Sequence, residues 1–369
     1  MKFQKYKFNN NLNVDFANTL KNRVNEYFKN NNLSKFANLH MVVKSTVMIM
    51  LYFVPFALML TGIITLPWLA FLLWGIMGVG MAGIGTCIMH DALHGGYSKN
   101  KKVNDFLGLS MNFIGGNAGV WKMQHNVLHH SYTNIAHADD DIKTPIFLRF
   151  SSHQKRIWIH RFQYLYVWFF YSISTIFWVT TKDFVQIFRY KKRGLVKNNQ
   201  ELIKSILNIF IWKLVYYAYV LILPILLLPF SPGLIILMFI SMHLVSGFLL
   251  SIVFQPAHVV PTTSFLESQD SDKIETNWTV HQLLTTSNFA PNNKLLSWFI
   301  GGLNFQVEHH LFPNICHIHY PKLSKIVQET TSEFGNPYHY EKSYRTALKS
   351  HVKMLQMLGT QDSIPNPGY

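Results

Sequence analysis

The chain has 369 residues, of which 49% are hydrophobic and only 14% are charged. Its 33 lysines and arginines outnumber its 18 aspartates and glutamates, so the formal charge is +15. The basic residues flank long uncharged stretches instead of forming a compact domain, which disfavours nucleic acid as the partner and favours lipid headgroups or a phosphorylated substrate. The two cysteines, Cys87 and Cys316, exclude a disulfide framework and a cysteine-based zinc or iron–sulfur site.

Residues 1–44 are expected to form a cytoplasmic N-terminal arm. Apolar side chains recur at helical spacing from about Val14, which predicts a helix lying along the membrane interface. Residues 1–13 are polar and lack the apolar core of a signal peptide, so the first apolar stretch is expected to act as an uncleaved anchor.

Two uncharged stretches, residues 45–90 and 214–266, follow in the chain. Since a spanning helix needs about 20 apolar residues, each stretch is long enough for two antiparallel helices. Proline and glycine predict the turns near 61–68 and 228–233. The predicted spans are 45–66, 68–89, 212–229 and 233–255.

The basic residues lie before, between and after these two hairpins, and none lies in either hairpin turn. Because cytoplasmic loops are enriched in lysine and arginine, both termini and the middle segment are expected to be cytoplasmic. The uncharged, aromatic stretch 162–181 is long enough to span, but a crossing there would put His309 in the opposite compartment. It is therefore interpreted as an interfacial helix.

The predicted fold is an all-α integral membrane protein. Four transmembrane helices form two hairpins, with interfacial helices and a cytoplasmic histidine-rich cap. The membrane domain is expected to span residues 45–338, and 339–369 form a C-terminal cytoplasmic tail. An amphipathic helix is predicted after Pro321.

Seven histidines form three tight clusters at the ends of the uncharged stretches. They are His90 and His94; His125, His129 and His130; and His309 and His310. Imidazole binds iron, copper, nickel and zinc, and a set this large could serve two metal ions. Within the first two clusters the spacing of four predicts side chains that project from one helix face toward a common point. The sequence therefore predicts a metal site at a membrane surface.

Three further residues are candidates around this site. His258 follows the last predicted span and is the leading candidate for an eighth ligand. Gln306 shares a helix face with His309 and His310, so it could bind weakly, bond to a metal-bound water or orient a ligand. For His281 a second-shell role or a substrate contact is favoured over ligation.

Asp91, Asp139 and Asp140 could hold ligand imidazoles by accepting their second N–H, whereas Asp141 is interpreted as part of a solvated loop. His243 lies within a span, where an ionisable residue suggests function, but a neutral imidazole bonded to a neighbouring helix explains it equally well. The remaining candidates are read as surface or core residues: His40, His153, His160, His339 and His351.

Several common motifs are absent from the sequence. Glu-x-x-His and His-Glu-x-x-His do not occur, which argues against a carboxylate di-iron bundle and a zinc metalloprotease. A Walker loop is also missing, and the Gly-x-Gly-x-x-Gly spacing at 78–83 lies inside a predicted span and not at a strand-to-helix turn, so it is not read as a dinucleotide fingerprint. Reducing equivalents for a redox reaction would therefore come from a partner protein.

The three clusters and their flanking residues resemble those of the membrane fatty acid desaturase family over about residues 71–338. The matching stretches are His-Asp-Ala-Leu-His-Gly-Gly from His90, Gln-His-Asn-Val-Leu-His-His from Gln124, and Gln-Val-Glu-His-His-Leu-Phe-Pro from Gln306. With glutamine at position 306, the third stretch resembles that of the front-end subgroup, which inserts a double bond between an existing one and the carboxyl end. The chain is similar to bacterial linoleoyl-CoA desaturase-like proteins. The resemblance implies the bacterial inner membrane as the location.

The resemblance also implies that the seven clustered histidines bind two iron ions, together with His258. It implies an O₂-dependent reaction that introduces a cis double bond into a fatty acyl chain, carried by coenzyme A or a lipid. The His-Pro-Gly-Gly motif of a fused cytochrome domain is not in the sequence, so the implied electron donor is a separate ferredoxin- or cytochrome-like carrier.

Three alternatives remain open from the residues alone. A lipid hydroxylase could use the same site, and a membrane zinc hydrolase could use similar ligands. A histidine-rich metal transporter is disfavoured because its ligands should lie within the spans, where the sequence places only His243.

Overall fold

The computed structural model describes residues 5–267, 273–364 and 367. Its α-helices in chain order are α1 (Val14–Asn30), α2 (Leu39–Leu60), α3 (Pro67–Gly83), α4 (His90–Leu93), α5 (Lys101–Gly108), α6 (Ser110–Phe113), α7 (Ala118–Lys122), α8 (Gln163–Phe177), α9 (Asp183–Arg193), α10 (Asn199–Tyr217), α11 (Leu223–Leu227), α12 (Pro232–His258), α13 (Trp278–Thr285), α14 (Lys294–Phe299), α15 (Gln306–Leu311), α16 (Tyr320–Glu333) and α17 (Tyr344–Thr360).

The remaining regular structure consists of short helical and extended segments. The π-helical segments are Ile84–Met89, Met123–His129, Trp178–Lys182 and Ala218–Ile222, and the 3₁₀ segments are Trp158–Phe162 and His317–His319. The strands are β1 (Lys7–Phe8), β2 (Lys273–Ile274), β3 (Asn288–Phe289) and β4 (Tyr340–Glu341). Parallel pairing joins β1 to β2, and β3 to β4.

Four helices of the described chain are long and apolar enough to cross a membrane. They are Leu39–Leu60, Pro67–Leu93, Asn199–Leu227 and Pro232–His258. The second runs through α3, a π-helical segment and α4, and the third through α10 and α11. These helices confirm the predicted all-α membrane fold.

The bounds of these helices differ from the predicted spans. The first begins at Leu39 instead of 45, and 61–66 form the turn. The third begins at Asn199 instead of 212 and includes Lys213. A basic residue does not end this helix, because the Lys213 ammonium is buried and donates to Asp183 at 2.9 Å and to the carbonyl of Trp178. The limits of the uncharged stretches therefore placed the first helix too far along the chain and made the third too short.

The aromatic stretch 162–181 contains α8, which packs along α12 and is not among the candidate spans. The Thr175 hydroxyl donates to the His243 carbonyl at 2.8 Å. On the opposite side, Leu165 and Phe169 are exposed. An exposed apolar face on a helix that does not span suits the predicted interfacial position, which stays a prediction.

Close backbone contact between α8 and α12 depends on Gly247. A Cβ atom there would collide with the carbonyl oxygens of Tyr171 and Ser172. Gly247→Ala is therefore expected to lower the free energy of unfolding by about 1–3 kcal/mol, the usual cost of overpacking. Thermal unfolding in detergent measures this, with Gly233→Ala as the control, because no atom lies within 4 Å of a Cβ at Gly233. Equal melting temperatures for the two variants would contradict the packing argument.

The predicted N-terminal helix is α1, and its apolar stripe is buried in the protein. The buried residues are Phe16, Leu20, Val24 and Phe28. They pack in one apolar cluster with residues of α16, including Leu323 and Val327. Arg23 also pairs with Glu333 at 2.6 Å. Protein therefore covers the apolar face of this helix, and its position along the membrane interface stays a prediction.

The C-terminal part encloses the ends of the spans, as expected for a cap. The β3–β4 pair connects the segment between α13 and α14 to the segment between α16 and α17. Helix α17 then packs against α8 and α12. The elements that carry the third histidine cluster are in this way fixed beside the end of α12.

Candidate metal centre

The three histidine clusters converge, and His258 joins them. The ring nitrogens fall into groups in which the closest atoms all lie within 4.8 Å of one another. One group is His90, His94, His125 and His309; a second is His129, His258 and His310; a third is His130, His309 and His310. The third group connects the first and the second, because it shares His309 with the first and His310 with the second. The Nε2 atoms of His130 and His309 are 3.0 Å apart.

A π-helical turn carries the second cluster. Met123–His129 is π-helical, and the backbone N–H of His130 bonds to the carbonyl of His125 at 2.9 Å. The rings of His125 and His129 are stacked with centroids 5.1 Å apart and lie together beside Asp141, as the spacing of four predicted. His125 also belongs to the group of His90 and His94, whereas His129 belongs to the group of His258 and His310.

Hydrogen bonds hold most of these rings by their second nitrogen. The Nδ1 partners are Asp139 for His129 (3.0 Å), Gln282 for His310 (2.9 Å), the Thr285 carbonyl for His258 (3.2 Å), Asp141 for His125 (3.4 Å) and the Tyr320 hydroxyl for His309 (3.4 Å). This arrangement is typical of metal-binding histidines, because it fixes the tautomer and leaves Nε2 free to bind the ion.

The free nitrogens test whether a metal fits. His94 Nε2, His258 Nε2 and His310 Nε2 are buried and have no hydrogen-bond partner within the described part of the chain. Buried polar atoms are nearly always paired, so several orphaned nitrogens facing one another need an explanation. A nitrogen-rich donor set suits iron, copper or zinc, and the residues present fit such ions.

The electrostatic setting suits metal binding as well. Burial, reinforced by neighbouring imidazoles, holds the pKa of five histidines well below the ordinary value: His94, His125, His130, His309 and His310. These rings are neutral at pH 7, which is the form that binds a metal. Burial also lowers the pKa of His129, but the carboxylates of Asp139 and Asp141 outweigh it and raise that pKa to about 9.

His258, the predicted eighth ligand, lies at the C-terminal end of α12. His258 is the last residue of the helix, not a residue beyond it. The side chain of Asn134 donates to the carbonyls of His258 and Ser264, both at 3.1 Å. The loop after the second cluster is thereby joined to the end of the fourth candidate span.

Gln306 and His281 lie near the groups but outside them. Gln306 is on α15 with His309 and His310, and its Nε2 is buried with no partner among the described residues. His281 Nε2 lies 2.8 Å from the carbonyl of Thr133, the residue whose hydroxyl lies 3.2 Å from His310 Nδ1. This position supports the second-shell interpretation of His281.

The aspartates divide differently from the prediction. Asp139 holds His129, and it also accepts the backbone N–H of Asn134 at 2.9 Å. Asp140 instead pairs with Arg193 at 3.0 Å and Arg189 at 3.4 Å, so the expectation that it holds a clustered histidine is corrected. An arginine pair satisfies a buried carboxylate with charged donors, and nothing in the sequence distinguished Asp139 from Asp140.

Asp141 and Asp91 also depart from the expectations. Asp141 lies in a loop and its side chain is 27% exposed, but it accepts from Gln124 and lies 3.4 Å from His125 Nδ1, so it also contacts a clustered ring. Asp91 bonds to the Nδ1 and backbone N–H of His317 instead of to a clustered ring.

The isolated histidines are packing residues. His243 is buried, with its Nε2 2.8 Å from the Tyr216 hydroxyl and its Nδ1 3.1 Å from the Thr175 hydroxyl. His351 is held in the same way by the Tyr171 hydroxyl and the Val259 carbonyl. Both nitrogens of each ring have a partner, so neither ring offers a free metal ligand.

Two supporting residues escaped the sequence analysis. Gln282 accepts from His310 and from Thr133, and His317 lies 2.8 Å from the buried Lys44 ammonium. Neither residue belongs to one of the three histidine clusters, so their contacts are evident only from the three-dimensional structure. With Asp91, Lys44 and His317 connect the start of the first candidate span to the end of the second and to the segment after α15.

Aromatic rings close one side of the histidine groups. Trp121 lies 4.4 Å from the ring of His125 and 5.7 Å from the rings of His90 and His94, between centroids. Phe254 lies 6.2 Å from His90. This side of the histidine groups is therefore lined by Trp121 and Phe254.

Comparison with known proteins agrees with this geometry. The model of the fatty acid desaturase family matches residues 31–342. The chain belongs to this family. The desaturase is 33% identical over 347 residues to the sn-1 linoleoyl-lipid 6-desaturase of Synechocystis sp., which covers 93% of this chain and 95% of the relative. It is also 33% identical over 345 residues to the sn-1 linoleoyl-lipid 6-desaturase of Arthrospira platensis, covering 94% and 93%.

A plant relative is also similar over most of its length. The acyl-lipid (8-3)-desaturase of Physcomitrium patens is 34% identical over 350 residues, covering 94% of the desaturase and 72% of the relative. The family membership confirms the resemblance carried by the three histidine clusters. The desaturase is accordingly an enzyme of lipid metabolism whose substrate class is fatty acyl chains.

Proposed function

We propose that the desaturase is a di-iron, O₂-dependent enzyme that introduces a cis double bond into a fatty acyl chain on the carboxyl side of an existing one. The observation that carries the proposal is the convergence of eight imidazoles in connected groups, seven of them on buried residues and several with orphaned nitrogens. Front-end regioselectivity is supported by the names of the relatives, which act as linoleoyl-lipid 6-desaturases and an acyl-lipid (8-3)-desaturase.

The first and second histidine groups supply the ligands of two iron ions. One ion would be held by His90, His94, His125 and His309, the other by His129, His258 and His310, with His130 between them. Bound iron would supply the O₂-dependent oxidising power that an unactivated methylene C–H bond requires, which side-chain acid–base chemistry lacks. Overall, the acyl chain loses two hydrogens, and O₂ with two electrons and two protons becomes two waters.

The protein residues orient and protect this centre. Asp139, Gln282 and the Thr285 carbonyl fix the rings of His129, His310 and His258 so that Nε2 faces inward. Trp121 and Phe254 form an apolar wall against which an acyl chain can lie. An aliphatic substrate displaces no hydrogen bonds from such a wall.

The acyl carrier and the electron donor complete the proposal. A lipid-bound acyl chain is favoured over an acyl-CoA because the relatives are named for lipid substrates. The two electrons come from a separate ferredoxin- or cytochrome-like protein. The metal centre is proposed to face the cytoplasm of a bacterial inner membrane, as the distribution of lysine and arginine favours.

Product analysis in a heterologous host tests this function. Cells that express the desaturase and receive linoleate are expected to accumulate a fatty acid with one additional cis double bond, detected by gas chromatography with mass spectrometry. His130→Ala removes the imidazole that connects the two groups and is expected to abolish the product. His153→Ala is the control, because His153 is partly exposed and bonds to Glu267. A hydroxylated fatty acid without a new double bond would contradict desaturation and favour the hydroxylase.

A further inference from the structure

A groove between α8 and α17 combines an apolar floor with a basic rim. Its volume is about 530 Å³. The floor includes Trp168, Leu348 and Val352, and the rim carries Arg345 and Lys349. Lys353 continues this rim on the same helix.

The three basic residues form one stripe without a counterion. Arg345, Lys349 and Lys353 are four residues apart, so they lie on one face of α17. All three are exposed, and they form no salt bridge with the described residues. Helices α8, α12 and α17 contain no aspartate or glutamate. Like charges at this spacing destabilise a helix, so an anion at the groove would relieve a cost that the protein itself leaves uncompensated.

The groove lies where the apolar surface of a candidate span ends. The Trp168 ring is 6.4 Å from that of Phe248, an exposed side chain on α12. Farther along α12, the Tyr344 hydroxyl donates to the Ile252 carbonyl at 3.0 Å, and His351 contacts the Val259 carbonyl. The start of α17 therefore lies beside the last two turns of α12, with the basic stripe on the side away from the middle of the span.

This order of features matches a lipid at a membrane surface. Exposed apolar side chains give way to a tryptophan and then to lysine and arginine, as they do at the boundary between acyl chains and headgroups. The flexible stems of the basic residues can cover apolar surface while their charged ends reach the headgroup.

We propose that this groove binds an anionic glycerophospholipid, with the phosphate held by Arg345, Lys349 and Lys353 and the upper acyl chain lying against Trp168. A lipid with a net negative headgroup is favoured over a zwitterionic one, because the residues that line the groove include basic side chains and no acidic ones. The site is separate from the metal centre and does not depend on the proposed reaction. It gives the desaturase a preference for anionic lipid beside α12, the helix that ends in His258.

Fluorescence quenching tests the site in the full-length protein. The desaturase is placed in phosphatidylcholine nanodiscs that contain either brominated phosphatidylglycerol or brominated phosphatidylcholine. The contribution of Trp168 is obtained by comparison with Trp168→Phe, since the chain has nine tryptophans. Brominated phosphatidylglycerol is expected to quench the Trp168 contribution at a lower mole fraction than brominated phosphatidylcholine.

Charge removal distinguishes the groove from general attraction to the membrane. The variant Arg345→Gln, Lys349→Gln, Lys353→Gln is expected to lower the preference for phosphatidylglycerol at Trp168 by at least about tenfold, given the contribution of each basic residue near an anionic surface. The control is Lys29→Gln, Lys322→Gln, Lys325→Gln, which removes the same charge from helices that do not line the groove and leaves the preference intact. The preference is also expected to persist in excess inorganic phosphate.

Three outcomes would overturn the proposal. Equal quenching of Trp168 by the two brominated lipids would show that the groove does not select the headgroup. An equal loss of preference in both triple variants would assign the effect to total charge. Loss of the preference in inorganic phosphate alone would assign the groove to a free anion.

Discussion

Replacing His258 by alanine is expected to lower the iron content of the purified desaturase and to reduce formation of the new double bond by at least about 100-fold, more than the 10- to 100-fold typical of supporting residues. His258 is one of three imidazoles in the second group, with His129 and His310. Its Nε2 has no protein partner among the described residues, so its removal breaks no hydrogen bond at that atom. The substitution also removes a buried ring and its 3.2 Å bond to the Thr285 carbonyl, so metal content is measured per folded protein.

For His258→Ala and its control, the iron content per folded protein and the formation of the new double bond are both measured. His153→Ala should retain both, because both ring nitrogens of His153 already contact Glu267 and the Phe265 carbonyl. Thermal unfolding of metal-free protein measures separately the stability that His258→Ala loses with the buried ring and its bond to the Thr285 carbonyl. Full iron content and full activity in His258→Ala would exclude this residue from the centre.

The architecture was predictable because lipid imposes simple rules. Uncharged stretches of sufficient length predicted four spanning helices, and the distribution of lysine and arginine put the clusters on one side. The bounds were less predictable, since Lys213 lies within a helix where Asp183 and backbone carbonyls stabilise its charge. A rule that counts charged residues within a segment does not detect ion pairs with residues elsewhere in the chain.

The convergence of the clustered histidines was predictable from the sequence, but the grouping of their rings was not. Clustered histidines are rare enough to identify, and His258 was found because it closes a predicted span. His125 and His129 lie together beside Asp141, but spacing alone does not predict that His125 also joins His90 and His94 while His129 joins His258 and His310. Gln282 is remote from every cluster in sequence, so its hydrogen bond to His310 emerges only from tertiary structure.

A common physical reason explains why three adjacent aspartates have different roles. Residues 139–141 follow a turn in which Asn134 adopts φ 56°, and Asp139 accepts the backbone N–H of Asn134 as well as that of Asp141. These bonds point one carboxylate inward to His129, whereas Asp140 meets Arg193 on the other side. Backbone geometry, not residue type, selects the carboxylate that supports the metal centre.

Asp139→Asn is accordingly expected to reduce iron affinity and activity by about 10- to 100-fold, the usual effect of losing an outer partner of a metal-binding histidine. The amide keeps the size of the side chain but weakens the acceptor for His129 Nδ1–H, which is 3.0 Å away. His129 then loses the charge that favours its correct tautomer and orientation. Iron retention during titration with a chelator measures the affinity, and product formation in the host measures the activity.

Asp140→Asn is the matched control, because it makes the same chemical change one residue along the chain. It weakens the pairs with Arg189 and Arg193, so it is expected to lower the melting temperature while iron per folded protein stays at the wild-type value. An equal loss of iron in both variants would show that the loop as a whole, and not the bond from His129 to Asp139, determines metal retention. Opposite effects on stability and iron content in the two variants would instead assign orientation of His129 to Asp139.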